Sequence, residues 1–212
     1  MKRIFLTALA VLIFSVQSFC GAATIETANL NDDEKLIYPV VHVADSAAEK
    51  KINVAIIAEI DRFLTGIYRN AQVNGFEVAD ARTNFKIGSN EAGNTVILSL
   101  ILTESNYYKG AAHPSTFLHA LNFNVANGEL IDKNYLLDVG SGVPESHFVA
   151  KLEKKLREKV AREKNFLFDN ALPLKKLPEY FYWDENLHLH FIFQHYEIAP
   201  YAAGIIDVDI DA

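Results

Sequence analysis

Three strand-forming runs near the end of the chain point to an antiparallel sheet. Leu177-Pro178-Glu179-Tyr180-Phe181-Tyr182-Trp183 is followed by Asp184-Glu185-Asn186, and then by Leu187-His188-Leu189-His190-Phe191-Ile192-Phe193. Aromatic and branched side chains favour a pleated, half-buried surface, and Asp-Glu-Asn between two such runs is hairpin-turn chemistry. A break at Ala199-Pro200-Tyr201-Ala202-Ala203-Gly204 precedes a third run, Ile205-Ile206-Asp207-Val208-Asp209-Ile210. Three antiparallel strands are therefore expected between Leu177 and Ile210.

The N-terminus reads differently. Lys2-Arg3 precedes a nearly unbroken apolar run from Ile4 to Val16, and small residues follow at Cys20-Gly21-Ala22-Ala23. This is the pattern of a secretory signal peptide over residues 1–23, cleaved after Ala22 or Ala23. The run is short for a transmembrane helix, so the mature chain is expected to have no membrane span. Cys20 is the only cysteine. Phe19 before it argues against lipidation there, and cleavage leaves a protein whose fold depends on its core alone. Half of the residues are hydrophobic, enough for one substantial core. The formal charge is −7, and loss of Lys2 and Arg3 leaves 18 basic against 27 acidic residues, near −9. That balance disfavours nucleic acid and anionic lipid and suits a basic partner.

Residues Thr24 to Glu34 are polar and acidic and read as a loosely ordered arm. Leu36 to Val43 reads as an edge strand because of Pro39. Ser46-Ala47-Ala48-Glu49 reads as a capping box opening a helix. Ile52, Ile56, Ile60, Phe63, Leu64 and Ile67 form one apolar face, and the helix should end around Asn70 or Gln72, before Gly75. Strands are expected over Phe76–Ile87 and Thr95–Tyr108, joined by a turn at Asn90–Asn94. Val96 to Leu102 is too apolar for a wet edge. Gly110–Pro114 interrupts the meander, Phe117–Val125 alternates as another strand, and Asn127-Gly128 marks a turn. A loop near Asp138–Gly142 leads to a second helix from Pro144 or Glu145 to Lys164, with Phe148, Leu152, Leu156 and Val160 on one face and a charged opposite face. The expected class is α+β: a mostly antiparallel sheet covered by two amphipathic helices.

Three segments together resemble a known family. They are Tyr108-Lys109-Gly110-Ala111-Ala112-His113-Pro114, Phe123–Ile131 with its Asn127-Gly128 turn, and Phe191–Gly204 with Tyr196-Glu197-Ile198-Ala199-Pro200-Tyr201-Ala202-Ala203-Gly204. They resemble the RsiV-like exported domain, a domain of unknown function (DUF3298), often preceded by a DUF4163-type segment. The resemblance implies a DUF4163-like lobe over residues 24–109 and a DUF3298-like lobe over residues 110–212. It also implies an exported, non-catalytic module of the cell envelope, periplasmic or extracellular, that recognises lysozyme or peptidoglycan.

Candidate binding residues are Tyr107, Tyr108, His113, Pro200 and Tyr201. Tyr107, Tyr108 and Tyr201 would form one aromatic surface if the two loops meet, and such surfaces suit sugars and protein hot spots alike. Against this, Gly110–Pro114 can be a plain structural turn, and Tyr201 can pack back on the core. His188 and His190 share one strand face. With His113 or His195 nearby and a carboxylate they would bind zinc or copper; a half-solvated sheet face explains them equally, and no cofactor or metal is expected. Asp207, Asp209 and Asp211 read as a solvent-facing row. Ser141 lacks the setting of a nucleophile elbow, so catalysis is not expected. Two other readings stand beside the binding module: a histidine-centred metal protein or wall enzyme, and a structural envelope protein.

Overall fold

The computed structural model describes residues 23–90, 97–139, 143–163 and 166–212. Residues 1–22 of the expected signal peptide, with Cys20, the turn expected after Asn90, and Ser141 lie outside the described residues. Among these residues the chain forms nine strands and three α-helices in three antiparallel sheets, an α+β fold. No helix among them is long and apolar enough to cross a membrane.

The segment expected to be a loose arm is a strand. β1 (Thr24–Asn29) pairs antiparallel with β2 (Ile37–His42), from Thr24 opposite His42 to Asn29 opposite Ile37. Ile25, Ala28 and Leu30 are buried, and these few apolar side chains among polar ones dock the hairpin on the core. Helix α1 (Ser46–Asn74) follows. Its cap lies one residue earlier than the expected Ser46: the Asp45 carboxylate accepts from the Ala48 N–H at 2.7 Å, and Glu49 reaches back to the Val43 N–H at 3.1 Å. The helix runs two residues beyond Gln72 and stops at Gly75, whose φ of 70° suits a residue without Cβ. Asn53 ties α1 to β2 by bonding both the N–H and the carbonyl of Val41.

β3 (Val78–Asn90), β4 (Ile97–Tyr108), β5 (Ser115–Asn124) and the short β6 (Glu129–Leu130) form the second sheet in that order. The apolar β4 lies between β3 and β5 and is covered on both faces, as its composition demands. Leu98, Leu100 and Leu102 meet Ile52, Ile56 and Ile60 of α1, while Ile101 meets Tyr182 and Ile192 on the far side. Residue 110 lies in the turn between β4 and β5, which pair from Asn106–Ser115 to Ile97–Asn124.

Helix α2 (Lys133–Val139) fills a stretch to which no element is assigned from the sequence and reaches into the loop expected near Asp138–Gly142. Asp132 opens it by accepting the Tyr135 N–H at 3.0 Å. α3 (Glu145–Glu163) then buries Leu152 and Leu156. The three closing strands pair as expected: β7 (Tyr180–Trp183), β8 (Leu189–Phe193) and β9 (Ile206–Asp209), with β8 in the middle. Phe181, Phe191, Phe193, Ile206 and Val208 pack with the α3 leucines, and Tyr182 and Ile192 on the other face pack on the second sheet. The layers therefore run α1, second sheet, third sheet, α3, so the two long helices cover different sheets. Polar ties cross between the sheets: Asn122 donates to the Phe181 carbonyl at 2.7 Å, and the Trp183 N–H donates to Ser99 at 3.1 Å. Gly88 permits the close crossing, since a Cβ there would stand 2.5 Å from the Trp183 carbonyl oxygen.

Candidate functional site

The fold brings the β4–β5 turn against the β8–β9 loop. The Ala111 N–H closes the turn on the Tyr108 carbonyl, and Tyr107 donates its hydroxyl to the Ala111 carbonyl at 3.1 Å. His113 Nδ1 lies 3.0 Å from the Pro114 carbonyl oxygen, which can only accept, so Nδ1 carries the proton. Tyr201 donates to the same oxygen at 3.1 Å across 87 residues of sequence. Pro200 opens the short 3-10 turn, Tyr201–Ala203, that presents this ring.

The His113 and Tyr201 rings stack at 3.8 Å, and His195 stacks on Tyr201 at 4.3 Å. Two rings so close to one tyrosine cannot share a face, so Tyr201 lies between the imidazoles. Burial and the neighbouring His113 hold the His195 pKa below its ordinary value. Tyr196 completes the cluster. It is 57% exposed, its hydroxyl faces His113 Nε2 at 3.5 Å, and its φ of 64° is uncommon for a bulky residue. Glu197 braces this bend by accepting the Gln194 N–H at 2.8 Å.

Of the expected binding residues, Tyr107, His113, Pro200 and Tyr201 meet around the two loops. Tyr108 does not. Successive strand residues point to opposite faces, and Tyr108 turns to α1, where it donates to the Ile67 carbonyl, accepts from Asn70 and packs beside Phe76. From the sequence, Tyr196 reads only as the first residue of the motif that flags Tyr201, and His195 only as a metal-binding companion of His188 and His190.

His188 and His190 have neither His113 nor His195 for company. They face the β9 aspartates: His188 Nδ1 lies 3.0 Å from Asp209, and His190 Nδ1 lies 2.9 Å from Asp207. The expected solvent-facing row of aspartates is therefore mostly engaged, and Asp211 pairs with Lys151 at 2.6 Å.

A buried charge network escaped the sequence reading. His119 Nδ1 lies 2.5 Å from Glu59 and 2.8 Å from the fully buried Glu104, and Arg62 grips Glu59 through Nε at 2.9 Å. Burial works against charge on both Glu59 and His119. The His119 and Arg62 contacts nonetheless hold Glu59 down at about 2, and the two carboxylates hold His119 up at about 8. Burial pushes Glu104 up. Tyr180 stacks on the imidazole at 4.6 Å. The network fastens α1 to β4 and β5. A cleft of about 710 Å³ lies elsewhere, along α3 from Glu145 to Arg157 beside Leu174.

Residues 142–212 match the family described as a protein of unknown function (DUF3298). This span holds α3, the third sheet and the Tyr196–Gly204 bend, and begins after the His113 turn. Two solved structures share the fold. A DUF3298 family member from Bacteroides fragilis NCTC 9343 is 16% identical, with 89% of this chain and 88% of that one covered and a TM-score of 0.51. A DUF3298 family protein from Pseudomonas aeruginosa PAO1 is 14% identical, with 89% and 87% covered and a TM-score of 0.56. No curated protein matches the chain.

Proposed function

We propose that this protein is an exported, non-catalytic binding module of the cell envelope, of RsiV-like type, that recognises a basic wall-active protein such as lysozyme. The observation that carries the reading is the two-loop cluster of His113, His195, Tyr196 and Tyr201. Loops held on a rigid scaffold are where binding residues concentrate, and strained backbone collects at such sites. Both faces of the Tyr201 ring are covered by imidazoles, so Tyr201 organises the loops and Tyr196 presents the contact. A single exposed tyrosine with a polar rim suits a protein hot spot better than the broad ring face a sugar stacks on. The acidic chain would steer a basic partner, with the strongest effect at low salt. Export rests on the leader-like pattern of residues 1–23.

Calorimetry with the chain from Thr24 tests this. Lysozyme binding should weaken as salt rises and fall at least tenfold in Tyr196→Ala, while Tyr201→Ala should lose it as the loops part. Absence of lysozyme binding at low salt, or binding indifferent to both substitutions, sinks the reading. Binding of peptidoglycan fragments in its place would move the ligand to glycan.

A further inference from the structure

We propose that Asp184, His190 and Asp209 form a binding site for a divalent transition-metal cation. The argument rests on which atoms of these residues are already engaged. His190 Nδ1 is 2.9 Å from Asp207 Oδ1, and Asp207 Oδ2 accepts the Tyr182 hydroxyl at 2.6 Å. In the neutral imidazole that arrangement puts the proton on Nδ1 and leaves an in-plane lone pair on Nε2. Asp184 Oδ1 accepts the N–H groups of Asn186 and His188, each at 2.8 Å. Asp209 Oδ1 accepts the N–H groups of Asp211 and Ala212 at 2.7 and 2.9 Å. Each residue thus has one atom tied down and turns its other atom to a common point.

Those other atoms converge. His190 Nε2 is shielded from solvent and makes no hydrogen bond. It lies 3.5 Å from Asp184 Oδ2 and 3.9 Å from Asp209 Oδ2, and all three atoms fall within 4.8 Å of one another. Metal–ligand bonds of about 2.0–2.2 Å place neighbouring ligand atoms about 3–3.5 Å apart, so the two edges at His190 need close by no more than a few tenths of an ångström. An imidazole hydrogen-bonded to a carboxylate through its far nitrogen is the usual outer arrangement of a metal-bound histidine. His188 supports Asp209 Oδ2 in the same way, at 3.0 Å.

The surroundings fit a cation. Asp184, Asp207 and Asp209 bring three carboxylates to two histidines. A cleft of about 420 Å³ opens beside His190, Asp207 and Asp209 and leaves room for water to complete the shell. Of the three cations on its α3 wall, Lys155 holds the Ala212 main-chain oxygen, Lys159 pairs with Glu163 at 2.7 Å, and Arg162 lies 3.9 Å from the same carboxylate. One imidazole with two carboxylates suits Zn²⁺, and Mn²⁺ through its carboxylates, better than Ca²⁺, which prefers an all-oxygen shell. The proposal reverses the expectation that the chain holds no metal, and it uses His190 without His113 or His195.

The test is calorimetric titration of the metal-stripped chain with Zn²⁺, and separately with Mn²⁺ followed by electron paramagnetic resonance. The expected result is one site filled by Zn²⁺ in the micromolar range or tighter and not competed by equimolar Ca²⁺. Asp184→Asn and His190→Gln should each abolish it. Asp207→Asn, which leaves the ligands and removes the charge behind the imidazole, should weaken it about 10- to 100-fold. Circular dichroism of each variant establishes that it is folded. Binding unchanged in folded Asp184→Asn and His190→Gln overturns the proposal, as does the absence of Zn²⁺ and Mn²⁺ binding below millimolar concentration.

Discussion

His119 and Glu104 show how far a buried ion group depends on its partners. Glu104 is fully buried, so the cost of removing its charge from water is offset mainly by the imidazole beside it, with a weaker attraction from Arg62. The folded His119 pKa near 8 lies above the ordinary 6.5, so the folded state binds the extra proton. Its stabilisation is complete below about pH 6.5 and is lost as pH rises through 8, a change of about 2 kcal/mol. Glu104, raised by burial, acts in the same direction. Glu59 has the opposite sign: held at about 2, its contribution is present above about pH 4.5 and is lost as pH falls through 2. Urea midpoints should therefore drop between pH 6.5 and 8.5, and His119→Gln should flatten that drop. A wild-type midpoint independent of pH over this window would show that the network does not hold the proton. None of this was legible along the chain. His119 sits in an alternating strand and reads as one more inward residue, and nothing local connects it with Glu59 on α1.

Among the elements, the long helix and the closing hairpin were readable because each carries its own periodicity. The apolar stripe of α1 recurs at helical spacing, and β7 and β8 are joined by turn residues. β1 and α2 were missed for opposite reasons. β1 has too few apolar residues to announce itself and forms because β2 offers a partner. α2 is short, and its one signal is Asp132 at the cap. The crossing of β3 over β7 is a contact that glycine makes possible. Gly88→Val would drive a branched side chain into the Trp183 carbonyl and the Tyr182 ring. The cost should be about 1–3 kcal/mol in unfolding free energy, as for other overpacked cores. Thermal melting of the variant measures it, and an unchanged midpoint would mean that the sheets are free to separate there.

The molecule as a whole is built in layers, and the second sheet belongs to both halves of the chain. β5 draws its long pairing from β4, and Ile101 of β4 supplies the surface on which Tyr182 and Ile192 close. A fragment of residues 110–212 would expose that surface and leave β5 without its main partner. Expressed alone, it should show weak near-ultraviolet dichroism and no cooperative melting transition, and a sharp transition would establish it as an independent unit. The Gly110–Pro114 turn and the Tyr196–Gly204 bend were each visible as motifs, and their resemblance to one family made them a pair. Their meeting depends on the sheet stacking, which carries Tyr196 to His113 across 83 residues. Local chemistry is written where it acts: caps, turns, stripes and alternation come from neighbours within one turn or one hairpin, and so they can be read in order. Which aspartate faces His190, which glutamate meets His119, and which tyrosine leaves the loop surface for α1 follow from register and face. A shift of one residue in a strand reverses every such choice, and only the packing of the whole chain decides between them.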